Sequence, residues 1–159
     1  MSSEMAARTV HWVCKGNICR SAAADFLMRN HPEISASNTR SASSGIAEWC
    51  GGKGIHRDML SAMKRAGTPA EKSRHLSRRW DPIQVTERDI VIPMDEEIAR
   101  SLRYQNPEII GNLLMPAELG VDFSEIADPY GKGEAAFDRC LSDVARLVDA
   151  VVARTGHVL

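Results

Sequence analysis

Two hydrophobic periods alternate along this chain. Thr9-Val10-His11-Trp12-Val13 is a compact, mostly apolar run, which predicts a strand with too little polarity for a sheet edge. Ala22 to Asn30 reads as a helix that ends at His31-Pro32, because the residue before a proline is pushed out of the helical region. Asn38 to Ser43 predicts a second, polar strand. His56 to Ala66 is a helix with Met59, Leu60 and Met63 on one face, stopped by Gly67. Asp89 to Met94 is β-branched, compact and halted by Pro93, so it predicts a buried strand. Asp95 then reads as the N-cap of a helix over Glu96 to Tyr104. Ile109 to Met115 predicts a further strand. The longest helix runs from Glu134 to about Arg154, with Phe137, Cys140, Leu141, Val144, Leu147, Val148, Val151 and Val152 recurring on one face.

Strands that alternate with helices predict an α/β fold: a parallel sheet, helices on both faces, and ligands at the carboxyl ends of the strands. At 159 residues the chain suits one domain with one core, spanning residues 8–159 behind a loose tail over 1–7. Hydrophobic residues at 43% and charged residues at 26% fit a globular chain, not a disordered one. The formal charge of −1 argues against nucleic acid or a membrane surface as the main partner. No apolar run approaches the roughly 18 residues of a membrane span, and the first residues lack the pattern of a signal peptide. The expected location is cytoplasmic, where the four cysteines stay mostly reduced.

The candidate chemistry lies directly after the first strand, in Cys14-Lys15-Gly16-Asn17-Ile18-Cys19-Arg20-Ser21. A cysteine six residues before an arginine is weak evidence alone, since Cys140 and Arg146 share that spacing. Cys140, however, lies on the apolar face of the last helix and reads as a core thiol. Cys14 ends a strand, has Gly16 and Asn17 for an unusual backbone, and precedes a helix. Amides at such a turn point outward and favour negative charge. A helix N-terminus and a nearby arginine also favour a thiolate over a thiol. Loop amides together with Arg20 suit the equatorial oxygens of a phosphoryl group, with Arg20 giving bidentate contacts. The Ser21 hydroxyl is placed to hydrogen-bond the sulfur, and Asn17 to lock the loop through its side-chain amide. A zinc reading of Cys14 and Cys19 fails because no second Cys or His pair follows at finger spacing, so no metal or other cofactor is expected.

Phosphoryl displacement also needs an acid for the leaving oxygen. Asp128 is the candidate, in the turn-rich loop Asp128-Pro129-Tyr130-Gly131. Asp95 is the rival, but its place before a helix favours capping. Trp49, in a glycine-rich loop, is placed to line a pocket and stack on an aromatic substrate.

These residues resemble the low-molecular-weight protein tyrosine phosphatases, over roughly residues 8 to 154 of the chain. The resemblance rests on Val13 to Ser21, on Ser43, Gly45 and Trp49, on Ser73-Arg74-His75-Leu76, on Asp89 to Asp95, and on Asp128-Pro129-Tyr130 ahead of a final helix. It implies a four-stranded parallel sheet flanked by helices. It implies Cys14 as nucleophile through a phosphocysteine, Arg20 as phosphate binder, and Asp128 as general acid and then base. Lys15, Gly16, Asn17, Ile18, Cys19 and Ser21 would form the phosphate-binding loop, with Ser43 supporting it. Trp49 and Tyr130 would wall the cleft. Cys19 would be a redox partner able to form a reversible disulfide with Cys14. The implied substrate is a tyrosine-phosphorylated protein, a bacterial tyrosine kinase among the candidates, with inorganic phosphate as product.

The chain departs from the family pattern at Lys15, which adds a positive charge at the cleft mouth. Ala22 stands in place of a proline, which is expected to loosen the loop. His56-Arg57-Asp58 stands in place of a D-P-R-like segment. Two other activities use a similar loop. Arsenate reduction needs further cysteines on a mobile segment, and residues 51–139 contain none. Phosphoarginine hydrolysis goes with threonine where this chain has Ile18. Isoleucine and the two aromatic residues favour tyrosine.

Overall fold

The computed structural model describes residues 8–34 and 38–155. The expected tail over 1–7 lies outside the described residues. Three parallel strands, β1 (Arg8–Cys14), β2 (Thr39–Gly45) and β3 (Ile90–Pro93), form a sheet in the order β2-β1-β3. The register pairs Cys14 with Gly45 and Val13 with Pro93. The apolar first strand is central, as its composition requires. Every residue from Val10 to Cys14 is buried, so both faces of the strand are covered.

Helices α1 (Arg20–Arg29), α2 (Arg57–Arg65), α3 (Glu96–Gln105) and α4 (Glu134–Thr155) pack around this sheet. α1 is buried along most of its length, and its run Ala22-Ala23-Ala24 allows close approach to β1, β2 and α4. Ala22 is fully buried within the first turn of α1, which begins at Arg20, so its replacement of proline leaves the helix start intact. α4 presents its apolar stripe, Phe137 through Val152, to the core. Asp95 caps α3, its carboxylate accepting from Ile98 N at 2.8 Å.

The sheet has three strands among the described residues, not the expected four. Residues Pro107–Asn112, where the fourth strand was to begin, form a 3-10 turn. Only Leu113 bridges β3, through Val91, with Leu114 N donating to Val91 O at 3.0 Å. Pro107 opens one turn and Pro116 opens the next, which leaves too few residues between them for a ladder. Asn112 meanwhile spends its side-chain amide on the carbonyls of Thr86 and Asp89, at 3.0 and 2.9 Å.

Candidate active site

The carboxyl end of β1 delivers Cys14 into a loop that closes on the N-terminus of α1. Two polar groups meet its sulfur: Asn17 N donates to it at 3.3 Å, and Ser21 Oγ lies 2.9 Å away. The turn is possible because Asn17 takes a left-handed backbone, φ 58°, which asparagine tolerates better than other non-glycine residues. Asn17 is fully buried and held on every side. Its Nδ2 donates to Ser21 Oγ at 2.8 Å, its Oδ1 accepts from Arg78 N at 2.9 Å, and its carbonyl lies 2.6 Å from His75 Nε2. Among the described residues, the N–H groups of Lys15, Gly16, Ile18 and Cys19 find no acceptor. They are available to an anion seated above the sulfur.

Arg20 is 2% exposed and anchored at one end. Its Nη1 donates to Asp95 Oδ2 at 2.7 Å and to the Ile126 carbonyl at 2.8 Å. Burial works against its charge, but Cys14, the hydrogen bond to Asp95, and Asp128 outweigh it and raise its pKa above the ordinary value. The Nε and Nη2 side makes no hydrogen bond among the described residues, and Nη2 is 3.8 Å from Asp128 Oδ2. Asp128 is half-exposed, with Oδ1 accepting from Tyr130 N at 3.1 Å.

Cys14, Arg20, Asp128, Trp49 and Tyr130 line one cavity of about 420 Å³, together with Lys15, Gly16, Ile18, Cys19 and Lys53. Trp49 and Tyr130 are 55% and 63% exposed, which suits walls of a cleft rather than parts of a core. Trp49 lies over Gly16, where an added Cβ would stand 2.9 Å from the ring atom Cζ3. Burial and the adjacent Cys14 push the Cys19 thiol far above the ordinary range. Burial pushes the Cys140 thiol up to about 12, in keeping with its place in the core.

Ser43 is placed differently from the expectation. Its hydroxyl turns away from the loop and donates to Asp25 Oδ2 at 3.3 Å, and Ser41 donates to the same carboxylate. The two-residue period of β2 puts both serines on one face, toward α1. The loop instead leans on the neighbouring backbone, with Ser21 Oγ 3.4 Å from the Ser44 carbonyl. His75 was missed as a support of Asn17, and Asp95 as an anchor of Arg20 beside its capping role. The matched segments around both residues were the available signal. No group of three or more His, Cys, Asp or Glu side chains is gathered for a metal among the described residues. No helix there is long and apolar enough to cross a membrane.

The family model of low molecular weight phosphotyrosine protein phosphatases matches residues 9–156, and the chain belongs to that family. A probable low molecular weight protein-tyrosine-phosphatase, EpsP of Ralstonia nicotianae, is 30% identical over 148 residues, covering 92% of this chain and 95% of that protein. Among solved structures, the low molecular weight protein tyrosine phosphatase from T. tengcongensis superposes with a TM-score of 0.80 at 22% identity, covering 93% of this chain and 99% of the other. The YwlE arginine phosphatase from Geobacillus stearothermophilus superposes with a TM-score of 0.78 at 21% identity, covering 92% of each chain. At those identities the two structures establish the fold alone.

Proposed function

We propose that the chain hydrolyses phosphotyrosine in proteins through a phosphocysteine intermediate. The observation that carries this reading is the sulfur of Cys14 beneath a ring of free amides, in one cavity with Arg20 and Asp128. The Cys14 thiolate attacks phosphorus while the bond to the phenol oxygen breaks. Asp128, protonated, gives its proton to that departing oxygen. The amides of Lys15, Gly16, Ile18 and Cys19 take the equatorial oxygens, with the unanchored side of Arg20. Water then attacks phosphorus, Asp128 as carboxylate accepts the water proton, and the sulfur–phosphorus bond breaks. The Ser21 hydroxyl stabilises the returning thiolate, and inorganic phosphate leaves.

Trp49 and Tyr130 hold the substrate ring between them. The physiological partner is a tyrosine-phosphorylated protein, with a bacterial tyrosine kinase among the candidates. Phosphoarginine is the competing substrate, by the name of the Geobacillus neighbour. Ile18 on the cleft wall and the two aromatic residues support tyrosine over it.

Steady-state rates on phosphotyrosine, phosphoserine and phosphoarginine peptides test the substrate, and phosphotyrosine is expected to dominate. Cys14→Ser should abolish turnover while phosphate binding persists; a variant with the wild-type rate would end the phosphocysteine mechanism. Asp128→Ala should slow poor leaving groups most, and an equal effect on all leaving groups would remove Asp128 from the acid role.

A further inference from the structure

Resting on the phosphotyrosine reading, we infer that the cleft selects phosphotyrosine set among acidic residues, with Lys15 and Lys53 as the side chains that meet the flanking carboxylates. Both lysines line the cavity that holds Cys14 and Arg20. Among the described residues neither ammonium stands in an ion pair, whereas Arg20, Arg29, Arg65, Arg103 and Arg146 all do.

Lys53 occupies a glycine-rich loop, yet its backbone is fixed. Lys53 N donates to Ser77 Oγ at 3.0 Å, and Ser77 N donates back to Lys53 O at 2.7 Å. The preceding Gly52 N also donates to Ser77 O at 2.7 Å, and Ser77 is buried. The loop is therefore clamped where it presents the lysine. Lys53 Nζ lies 5.6 Å from the centroid of a Trp49 ring, so the ammonium stands beside the aromatic wall of the cleft. Lys15 follows the nucleophile directly and reaches the mouth from the loop itself.

The charge at the mouth is local. The whole chain carries −1, yet among the described residues the only carboxylate lining the cleft is Asp128, which faces Arg20. Arg20 is already balanced by Asp95. Two ammonium groups are left to act on whatever flanks the phosphorylated residue. Carboxylates there gain from both. The leaving group of phosphoarginine is a guanidinium, a cation, and both lysines oppose its approach. One physical feature thus favours acidic phosphotyrosine segments and disfavours phosphoarginine.

The test is kcat/KM on three phosphotyrosine peptides, flanked by Glu, Ala or Lys, and on a phosphoarginine peptide. It is run on the wild type, on Lys15→Ala, on Lys53→Ala and on the double variant. The readout is the ratio of the Glu-flanked to the Ala-flanked peptide within each enzyme. Two exposed charge contacts give an expected ratio of about 2 to 30 at low salt. The ratio should be expressed mainly in KM, shrink as salt screens the lysines, and fall to about one in the double variant. Equal kcat/KM on Glu- and Ala-flanked peptides at low salt would overturn the inference, as would a preference that survives the double substitution or is indifferent to salt. Turnover of phosphoarginine with none of the phosphotyrosine peptides would instead end the phosphotyrosine reading itself.

Discussion

The Ser21 hydroxyl stands 2.9 Å from the Cys14 sulfur with one of its two lone pairs taken by the Asn17 amide at 2.8 Å. The Asn17 amide is oriented in turn, because its oxygen receives the Arg78 N–H. The Ser21 proton is left for the sulfur or the Ser44 carbonyl, and toward a thiolate, which has no proton to give, the hydroxyl can only donate. In the proposed phosphocysteine mechanism such a donor serves the step in which a thiolate is expelled from phosphorus. Ser21→Ala should lower kcat about 10- to 100-fold on a good leaving group and let phosphocysteine accumulate. Rapid-quench measurement of the intermediate checks this. A slower reaction with no accumulation would assign Ser21 to the first step.

His56 links the cap of α2 to the loop that carries Asp128. Its Nδ1 accepts from Asp58 N at 3.0 Å. Its ring stacks on Phe137 with centroids 5.6 Å apart and meets Tyr130 edge-on at 5.5 Å. Tyr130 N holds Asp128. Asparagine at position 56 keeps the cap and removes the ring. His56→Asn should hold Tm within about 3 °C while slowing poor leaving groups several-fold more than good ones. His56→Phe should do the reverse, losing about 1 kcal/mol of cap stability and little of the leaving-group response. Thermal melts and a leaving-group series separate the two; identical behaviour of both variants would break the link to Asp128.

The parts of this fold legible in the sequence are those whose signal is local. The apolar run before Cys14 announced a central strand, and the stripe on α4 announced its buried face. The local pattern around Cys14 and Arg20 announced a strand, a loop and a helix start, and Asp128 joins both residues in one cavity. Hydrogen bonds between side chain and backbone across long sequence separations were not legible. His75 reaches Asn17 across 58 positions, and Ser77 clamps Lys53 across 24, with no spacing rule to reveal either. The bond from Ser43 to Asp25 was not legible, because the period-2 pattern of a polar strand leaves open which face meets α1. The fourth strand was misread because Ile109, Ile110, Leu113 and Leu114 are apolar enough for a strand, while Pro107 and Pro116 decide the backbone.

Two glycines near Cys14 are required for different reasons. A Cβ on Gly45 would stand 2.6 Å from Lys15 O and 3.0 Å from Asn17 N, both backbone atoms of the loop. Gly45→Ala must therefore push the loop off β2, at a cost of about 1 to 3 kcal/mol and most of the activity. The three atoms nearest a Cβ on Gly16 all belong to the exposed Trp49 ring, which can swing aside. Gly16→Ala should leave stability nearly unchanged and raise KM for aromatic phosphates more than for alkyl phosphates. Urea melts with a paired substrate series check both, and a Gly45→Ala protein with normal melts and rates would contradict the packing.

Asp89 fastens the sheet at the end of β1 opposite Cys14. Its buried carboxylate accepts from Thr9 N at 3.0 Å, Thr86 N at 3.0 Å and Thr86 Oγ1 at 2.9 Å, and lies 2.9 Å from His11 Nε2. Burial alone would raise its pKa, but the hydrogen bonds from Thr86, His11 and Thr9 outweigh burial and hold it below the usual carboxylate range. A carboxyl whose pKa is lower in the folded than in the unfolded state stabilises the fold above its unfolded value, about 3.9. That contribution is lost as pH falls through the lower, folded value. Asp89→Asn turns one acceptor into an amide donor facing these N–H groups, and should cost about 2 to 4 kcal/mol at pH 7. The gap between wild type and variant should then narrow below about pH 4, because the wild-type carboxylate is being protonated while the amide does not titrate. Urea denaturation from pH 7 down to the acid limit of solubility measures the gap. A gap that stays constant across that range would mean that the ionised carboxylate contributes nothing beyond its shape.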